Sequence, residues 1–242
     1  MRPPHHRPDG GFRIPWLDDE ATLRGFRDLV RWQWERLLTS LPPDPHPSEI
    51  PSATPDPAFD RLSAGRLRAT WLGHATLLIQ SGTVTILTDP IFSPRASPFS
   101  FAGPARYRPA PLAVADLPAV DVVILSHDHY DHLDEPSVRS LHQRFGDALT
   151  WVTPLGYRDW FLRRGVRRLV ELDWWDTQTV RTAEGADVQV TATPAQHWTR
   201  RGLAVNQRLW ASYAMRAGDS RIYFGGDSGY FDGYGEIGSC CG

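Results

Sequence analysis

The segment Asp121-Val-Val-Ile-Leu-Ser-His-Asp-His-Tyr-Asp-His-Leu-Asp134 restricts this chain more than any other. Its first half, Val122 to Leu125, is uninterrupted apolar sequence and reads as a buried strand. Its second half packs three histidines and three aspartates into a loop, and a helix signal follows at once. Pro136 stands at a favoured first helical position, with Val138, Leu141 and Phe145 behind it. A loop held between two rigid elements is what a preorganised site requires. Imidazole nitrogen and carboxylate oxygen together suit zinc, and several ligands from one short loop suit two ions. His127 and His129 alternate across one residue and can bend toward one ion; Asp131 and His132 lie one turn further on and can reach a second. Asp128 falls between ligands, where a proton-shuttling carboxylate would sit, and Asp134 reads as a helix cap. The bland alternative is a solvated loop that happens to be rich in His and Asp. The density of HxHxDH directly behind a buried strand speaks against it.

Two more segments fit the same chemistry. Thr193-Pro-Ala-Gln-His197 puts His197 just after an alternating strand, where a third nitrogen for the first ion can arise. Ile222-Tyr-Phe-Gly-Gly-Asp227 ends a strand in two glycines, which permit close backbone approach, so the Asp227 carboxylate can bridge both ions. Taken alone, His197 is an ordinary loop histidine and Gly-Gly-Asp an ordinary turn; the first motif gives them weight. His74 and Asp89, on neighbouring strands, are candidates to orient ligands from behind. Their plain readings are a packed strand histidine and a turn aspartate before Pro90. Trp174, Trp175, Trp198 and Trp210 are candidates to line an apolar groove, or else simply pack the core.

A chain of 242 residues suits one α/β domain with an extension. Residues 1–64 are expected to form an irregular arm, a helix and a Pro-rich strap. The helix begins at Asp18 or Asp19 and carries Leu23, Phe26, Val30, Trp34 and Leu37 at spacings of three or four. Residues 65–242 form the main domain, with strands expected near 67–72, 76–80, 84–88, 121–126, 149–153, 168–172, 187–193, 208–216 and 220–225. Helices are expected from Pro136 and over 155–164. Strands first, then strands alternating with helices, indicate a mixed sheet with helices packed outside. The formal net charge of −2 leaves no basic arm for nucleic acid. Cys240 and Cys241, adjacent in sequence, make a poor structural bridge. No apolar run approaches the ~18 residues of a membrane span, and Met1 to Phe12 lacks the apolar core of a signal peptide. A cytoplasmic location is the expectation.

The motif His127-x-His129-x-Asp131-His132 resembles the signature of the metallo-β-lactamase superfamily. Within it the chain is similar to the branch containing the phospholipase D that hydrolyses N-acylphosphatidylethanolamine and its bacterial relatives. Trp71-Leu-Gly-His-Ala-Thr76 carries that likeness, as do Ile86-Leu-Thr-Asp-Pro-Ile-Phe-Ser-Pro-Arg-Ala-Ser-Pro98, Gly103-Pro104 and Arg106-Tyr-Arg-Pro109. So does the arm around His5, His6, Gly11, Phe12 and Arg13. The resemblance implies an α/β metallo-β-lactamase αββα sandwich. It assigns His127, His129 and His197 to one zinc, Asp131 and His132 to the other, and Asp227 to both. A further downstream histidine of the family pattern has no counterpart, so the C-terminal half of the sandwich is expected to be incomplete.

The function so implied is metal-dependent hydrolysis, first of a lipid-like or small-molecule phosphodiester. Two divalent ions, zinc first with iron or manganese as alternatives, share a water and lower its pKa. The bridging hydroxide then attacks phosphorus or a carbonyl carbon. Asp131 and Asp128 are the carboxylates expected to take part. Peripheral contact with a membrane suits a lipid-like substrate. A lactone or other cyclic ester is the alternative substrate, and an inactive, truncated pseudo-enzyme with a binding role is the non-catalytic alternative.

Overall fold

The computed structural model describes residues 3–8, 10–17, 30–31, 34–35, 38–39, 42–43, 45–53, 62–63 and 65–242. They fall into two compact units, Met1–Ala53 and Thr54–Gly242. In the first, the arm doubles back. His6 and Phe12 form an antiparallel bridge, and their rings meet edge to face at 5.0 Å. A single 3-10 turn, Pro47–Glu49, is capped by His46. The helix expected from Asp18 lies for the most part outside the described residues.

The second unit is built on two sheets. The larger holds β1 (Leu67–Gly73), β2 (Thr76–Ser81), β3 (Val84–Thr88), β4 (Val122–Ile124), β5 (Thr150–Pro154) and β6 (Leu169–Leu172), in that spatial order. Tight turns join β1, β2 and β3, so these strands are antiparallel. Longer crossovers lead to β4, β5 and β6, and these run parallel. Helix α1 (Glu135–Phe145) fills the β4–β5 crossover and α2 (Arg158–Leu162) the β5–β6 crossover.

Alternation along these strands gives the sheet two buried faces. One row, Leu78, Leu87, Val123, Trp151 and Leu169, packs with Val138 and Leu141 of α1 and with Trp160 and Phe161 of α2. The other row includes Ile79, Ile86, Val122, Ile124 and Val152, and is equally buried. From that side Ser81 Oγ donates to Ala217 O at 3.0 Å, a bond to the second sheet. Covering on both faces explains why β3, β4 and β5 read as continuous apolar or β-branched runs.

The second sheet is antiparallel throughout, in the order β12-β11-β8-β7. Its strands are β7 (Thr177–Arg181), β8 (Asp187–Thr193), β11 (Ser212–Ala217) and β12 (Ser220–Phe224), with a small hairpin β9 (Arg200–Arg201) and β10 (Ala204–Val205) inserted. Val188, Val190, Ala192, Tyr213 and Met215 form its buried face, while Gln189, Thr179 and Arg216 are exposed. Helix α3 (Gly233–Cys241) follows, and its Tyr234 ring lies 6.4 Å from that of Tyr223 on β12.

Most expected strands form within a few residues of their expected ends. Strand β11 begins at Ser212 rather than at residue 208, because Arg208 to Ala211 bond to loops instead: Leu209 N donates to Leu155 O and Ala211 N to Ser126 O, both at 3.0 Å. Strand β7 was not expected. Thr-Gln-Thr-Val-Arg exposes all but Val180, so it lacks the apolar alternation that marks a strand. The β9–β10 hairpin and α3 were also not expected; α3 carries three glycines in nine residues, which offsets its helix signal. Among the described residues, no helix is long and apolar enough to cross a membrane.

Candidate metal centre

The HxHxDH loop starts from a fixed point. Past the end of β4, Leu125 N still donates to Val152 O at 2.9 Å, and Tyr213 Oη donates to Leu125 O at 2.9 Å from the second sheet. The loop then closes as a turn, with His132 N and Leu133 N both donating to His129 O. Asp134 caps α1: its Oδ2 accepts from Ser137 N at 3.2 Å and from Ser93 Oγ at 2.8 Å. The loop is therefore tied at both ends before any ligand chemistry begins.

Three ring nitrogens converge on the far side of the loop. His127 Nε2 lies 2.9 Å from His129 Nδ1, and His197 Nε2 lies 3.1 Å from the first and 3.3 Å from the second. Burial, reinforced by the neighbouring imidazoles, holds the His127 pKa well below its ordinary value. Burial likewise lowers His197, to about 4, and lowers His129. These rings are therefore neutral near pH 7, and a neutral imidazole has one N–H and one lone pair. One proton shared between two of the three nitrogens leaves the third facing them with its lone pair unanswered. A cation satisfies all three at once. Donors about 2.0–2.1 Å from a tetrahedral zinc stand roughly 3.3–3.4 Å apart, close to the separations seen here.

The second cluster is more acidic. His132 Nε2 lies 3.3 Å from Asp227 Oδ2 and 3.2 Å from His74 Nε2, and His74 Nε2 lies 3.1 Å from Asp131 Oδ2. Asp131 Oδ2 is 3.9 Å from His132 Nε2. Asp227 also reaches the first cluster, 3.9 Å from His197 Nε2. Burial opposes charge on His132, yet Asp89 and Asp227 outweigh it and lift its pKa to about 10. Burial works against ionisation of Asp131 too, but His74 and His132 bring its pKa down to about 2. The cluster thus calls for positive charge. Its nitrogen and oxygen donors suit a divalent ion of the zinc class.

Behind the donors stands Asp89, fully buried. Its Oδ2 accepts from His132 Nδ1 at 2.6 Å and from Ser126 Oγ at 2.5 Å, while its Oδ1 accepts from Ser126 N at 2.7 Å. Ser126 Oγ in turn lies 2.8 Å from His127 Nδ1. One carboxylate so holds a ring of each cluster with Nε2 facing inward. Asp227 arrives through Gly226, whose φ is +55° and where a Cβ would come within 2.6 Å of Ser126 Cβ. Only glycine allows that approach without a shift.

Not every expected residue joins these clusters. The structure places Asp128 on the opposite side of the loop, buried, with its Oδ2 paired to Arg208 Nη1 at 2.8 Å. Alternation along the extended HxH stretch sends the middle side chain away from its neighbours. Asp128 thus faces Arg208, whereas Asp131 faces the donor clusters. Trp174 and Trp210 are core residues, and their indole N–H groups donate to Trp210 O and Ala195 O. Trp175 and Trp198 are exposed, and only Trp198 stands at the centre, edge-on to His129 at 4.6 Å. Two residues had not been singled out. Arg208 holds Asp128, and Arg201, on β9, donates to Asp128 O at 3.1 Å and Leu133 O at 2.9 Å. The Arg201 guanidinium also lies over the Tyr130 ring at 4.3 Å. No local pattern marks either arginine; their partners lie about 70–80 residues away in sequence.

A family model described as a beta-lactamase superfamily domain matches residues 84–241. The chain belongs to this superfamily. Among curated relatives, this superfamily member is 40% identical over 181 residues to N-acyl-phosphatidylethanolamine-hydrolyzing phospholipase D 1 of Caenorhabditis elegans, covering 72% of the chain and 50% of the relative. It is 41% identical over 216 residues to an uncharacterized protein of Mycobacterium bovis, covering 87% of the chain and 54% of that protein. The chain thus spans about half the length of the curated relatives it matches. Among solved structures, CmlA, a diiron β-hydroxylase from Streptomyces venezuelae, superposes with a TM-score of 0.54 at 22% identity, over 75% of this chain and 33% of that one. That likeness establishes the fold, the metallo-β-lactamase arrangement of two facing sheets with helices outside.

Proposed function

We propose that this superfamily member is a metal-dependent hydrolase acting on a lipid-like phosphodiester through two divalent ions, zinc first. The observation that carries the reading is the pair of adjacent donor clusters: three converging neutral imidazoles, and an acidic set beside them joined by Asp227. The phosphodiester preference is supported by the 40% identity to a phospholipase D. His127, His129 and His197 would hold one ion, Asp131 and His132 the other, and Asp227 both. When bound, such ions lower the pKa of a water, position substrate oxygens and neutralise charge that develops in the transition state.

The chain's own residues contribute orientation. Asp89 holds the Nδ1 proton of His132 on its own side, so that Nε2 is the nitrogen that would give up its proton and turn its lone pair to an ion. Ser126 relays the same constraint to His127. Arg201 and Arg208 hold the backbone and the buried carboxylate behind the loop. The Asp128 role that follows is that of a positioning residue, its charge spent on Arg208.

The test is hydrolysis of an N-acylated phosphatidylethanolamine by the purified chain, with a lactone run in parallel. The expected result is release of the N-acylethanolamine, abolished by a chelator and restored by zinc. Cleavage of the lactone alone would transfer the reading to cyclic esters, and chelator-insensitive activity would overturn it.

A further inference from the structure

We propose that His74 is itself a donor to the second ion, completing a four-donor set with Asp131, His132 and Asp227; this rests on the two-ion reading above. Three observations carry it. First, His74 Nε2 lies inside the cluster rather than behind it, 3.1 Å from Asp131 Oδ2 and 3.2 Å from His132 Nε2. A residue that merely orients Asp131 needs to approach the carboxylate from outside, as Asp89 approaches His132. The nitrogen of His74 instead meets the inward-facing Nε2 of His132 as well as the carboxylate, and so takes its place among the donor atoms themselves.

Second, the backbone is strained to aim it. His74 has a φ of +50°, in the turn between β1 and β2. A non-glycine residue in this left-handed region is strained, and such strain persists only where the surroundings enforce it. Third, those surroundings are present. Trp71 Nε1 donates to His74 O at 2.8 Å. Arg106 Nη2 donates to Leu72 O at 2.8 Å and its Nη1 to Ile91 O at 2.9 Å. The Arg106 guanidinium occupies the space where a side chain at Gly73 would stand, and Gly73 has a φ of +107°. The turn is thus clamped on both sides of residue 74. The His74 side chain remains 45% accessible, so it bounds the cluster on its solvent side, where substrate would enter.

The experiment uses the whole chain, stripped of metal and titrated with Co2+, whose visible bands report its ligands. His74→Gly is the variant, because glycine adopts the same φ without strain and the metal-free fold should survive; urea denaturation of both metal-free proteins checks this. The unaltered chain should take up two ions. His74→Gly should keep the one held by His127, His129 and His197, and should bind the other more than about 100-fold more weakly, beyond the 10–100-fold typical of outer-sphere partners. Its visible spectrum should change accordingly, and added imidazole should restore the second ion. A smaller loss that imidazole does not reverse, with an unchanged spectrum, would overturn the inference while leaving the two-ion reading intact. Uptake of fewer than two ions by the unaltered chain would overturn both.

Discussion

Replacing Asp89 by asparagine exchanges one oxygen for nitrogen and tests the logic of the whole centre. The backbone at residue 89 has a φ of +32°, which asparagine tolerates better than most residues, so the fold should be preserved. The amide oxygen can take the place of Oδ1 and accept from Ser126 N. The amide nitrogen then replaces Oδ2, and it faces two groups that had been donating to it, Ser126 Oγ at 2.5 Å and His132 Nδ1 at 2.6 Å. To accept from the amide, His132 must give up its Nδ1 proton and keep the one on Nε2. That nitrogen is the one 3.3 Å from Asp227 Oδ2, so the proton sits where the second ion needs a lone pair. Outer-sphere changes of this kind cost about 10–100-fold in metal affinity, equivalent to roughly 1.4–2.7 kcal/mol. Competition with a chromophoric chelator measures the affinities of the two ions in turn. The second ion should weaken by that factor, and the first by less, because only Ser126 links Asp89 to His127. If the Asp89→Asn chain binds the second ion within about twofold of the unaltered chain, the tautomer argument fails.

Three further outcomes follow from the same geometry. Gly226→Ala should lose about 2–5 kcal/mol in urea denaturation, from a left-handed φ and forced overpacking against Ser126, with Asp227-dependent metal binding falling alongside. Arg208→Met should cost about 3–5 kcal/mol, because it strands the Asp128 charge in a buried position; the double variant with Asp128→Leu should regain much of that in a double-mutant cycle. Glu135 donates nothing but accepts from Arg164 Nη2 at 2.5 Å and from Arg139, and these guanidinium groups hold its pKa below the ordinary 4.5. A depressed folded pKa stabilises above the unfolded value and is lost as pH falls through the folded one. The stability gap between the unaltered chain and Glu135→Gln should therefore be present at pH 7 and close as acid protonates Glu135; a gap that widens in acid would refute the pairing.

What could be read in the sequence is what lies close together along it. The strand, the loop and the helix cap at Asp134 are consecutive, so Val122 to Val138 announces itself. The separate signals at His197 and Asp227 gain force because each follows a strand end, and strand ends meet where sheets meet. Residues whose meaning depends on distant partners are harder. Arg201 and Arg208 look like any surface arginines until the fold brings them under the loop. The direction of Asp128 depends on which way one short extended stretch faces. His74 could be read as orienting ligands or as a packed strand histidine, and its convergence on Asp131 and His132 required a backbone angle that no residue pattern displays. Trp174 and Trp210 are apolar surface in a sequence but hydrogen-bonded core in the fold, because each indole N–H finds a carbonyl.

The spatial order of the larger sheet follows the chain from β1 to β6 without a swap, and this has a consequence for biosynthesis. By the time residue 172 has left the ribosome, every strand of that sheet and both helices of its packed face exist, together with His74, Asp89 and the whole HxHxDH loop. His197 and Asp227 do not. At about 5–20 residues per second, the 100 residues from His127 to Asp227 take roughly 5–20 s to emerge. Until the second sheet emerges the opposite face of the larger one is bare, and an ion met by the nascent chain would find only the earlier donors. Completion of the centre is therefore a late event, and it coincides with the moment the second sheet covers the first.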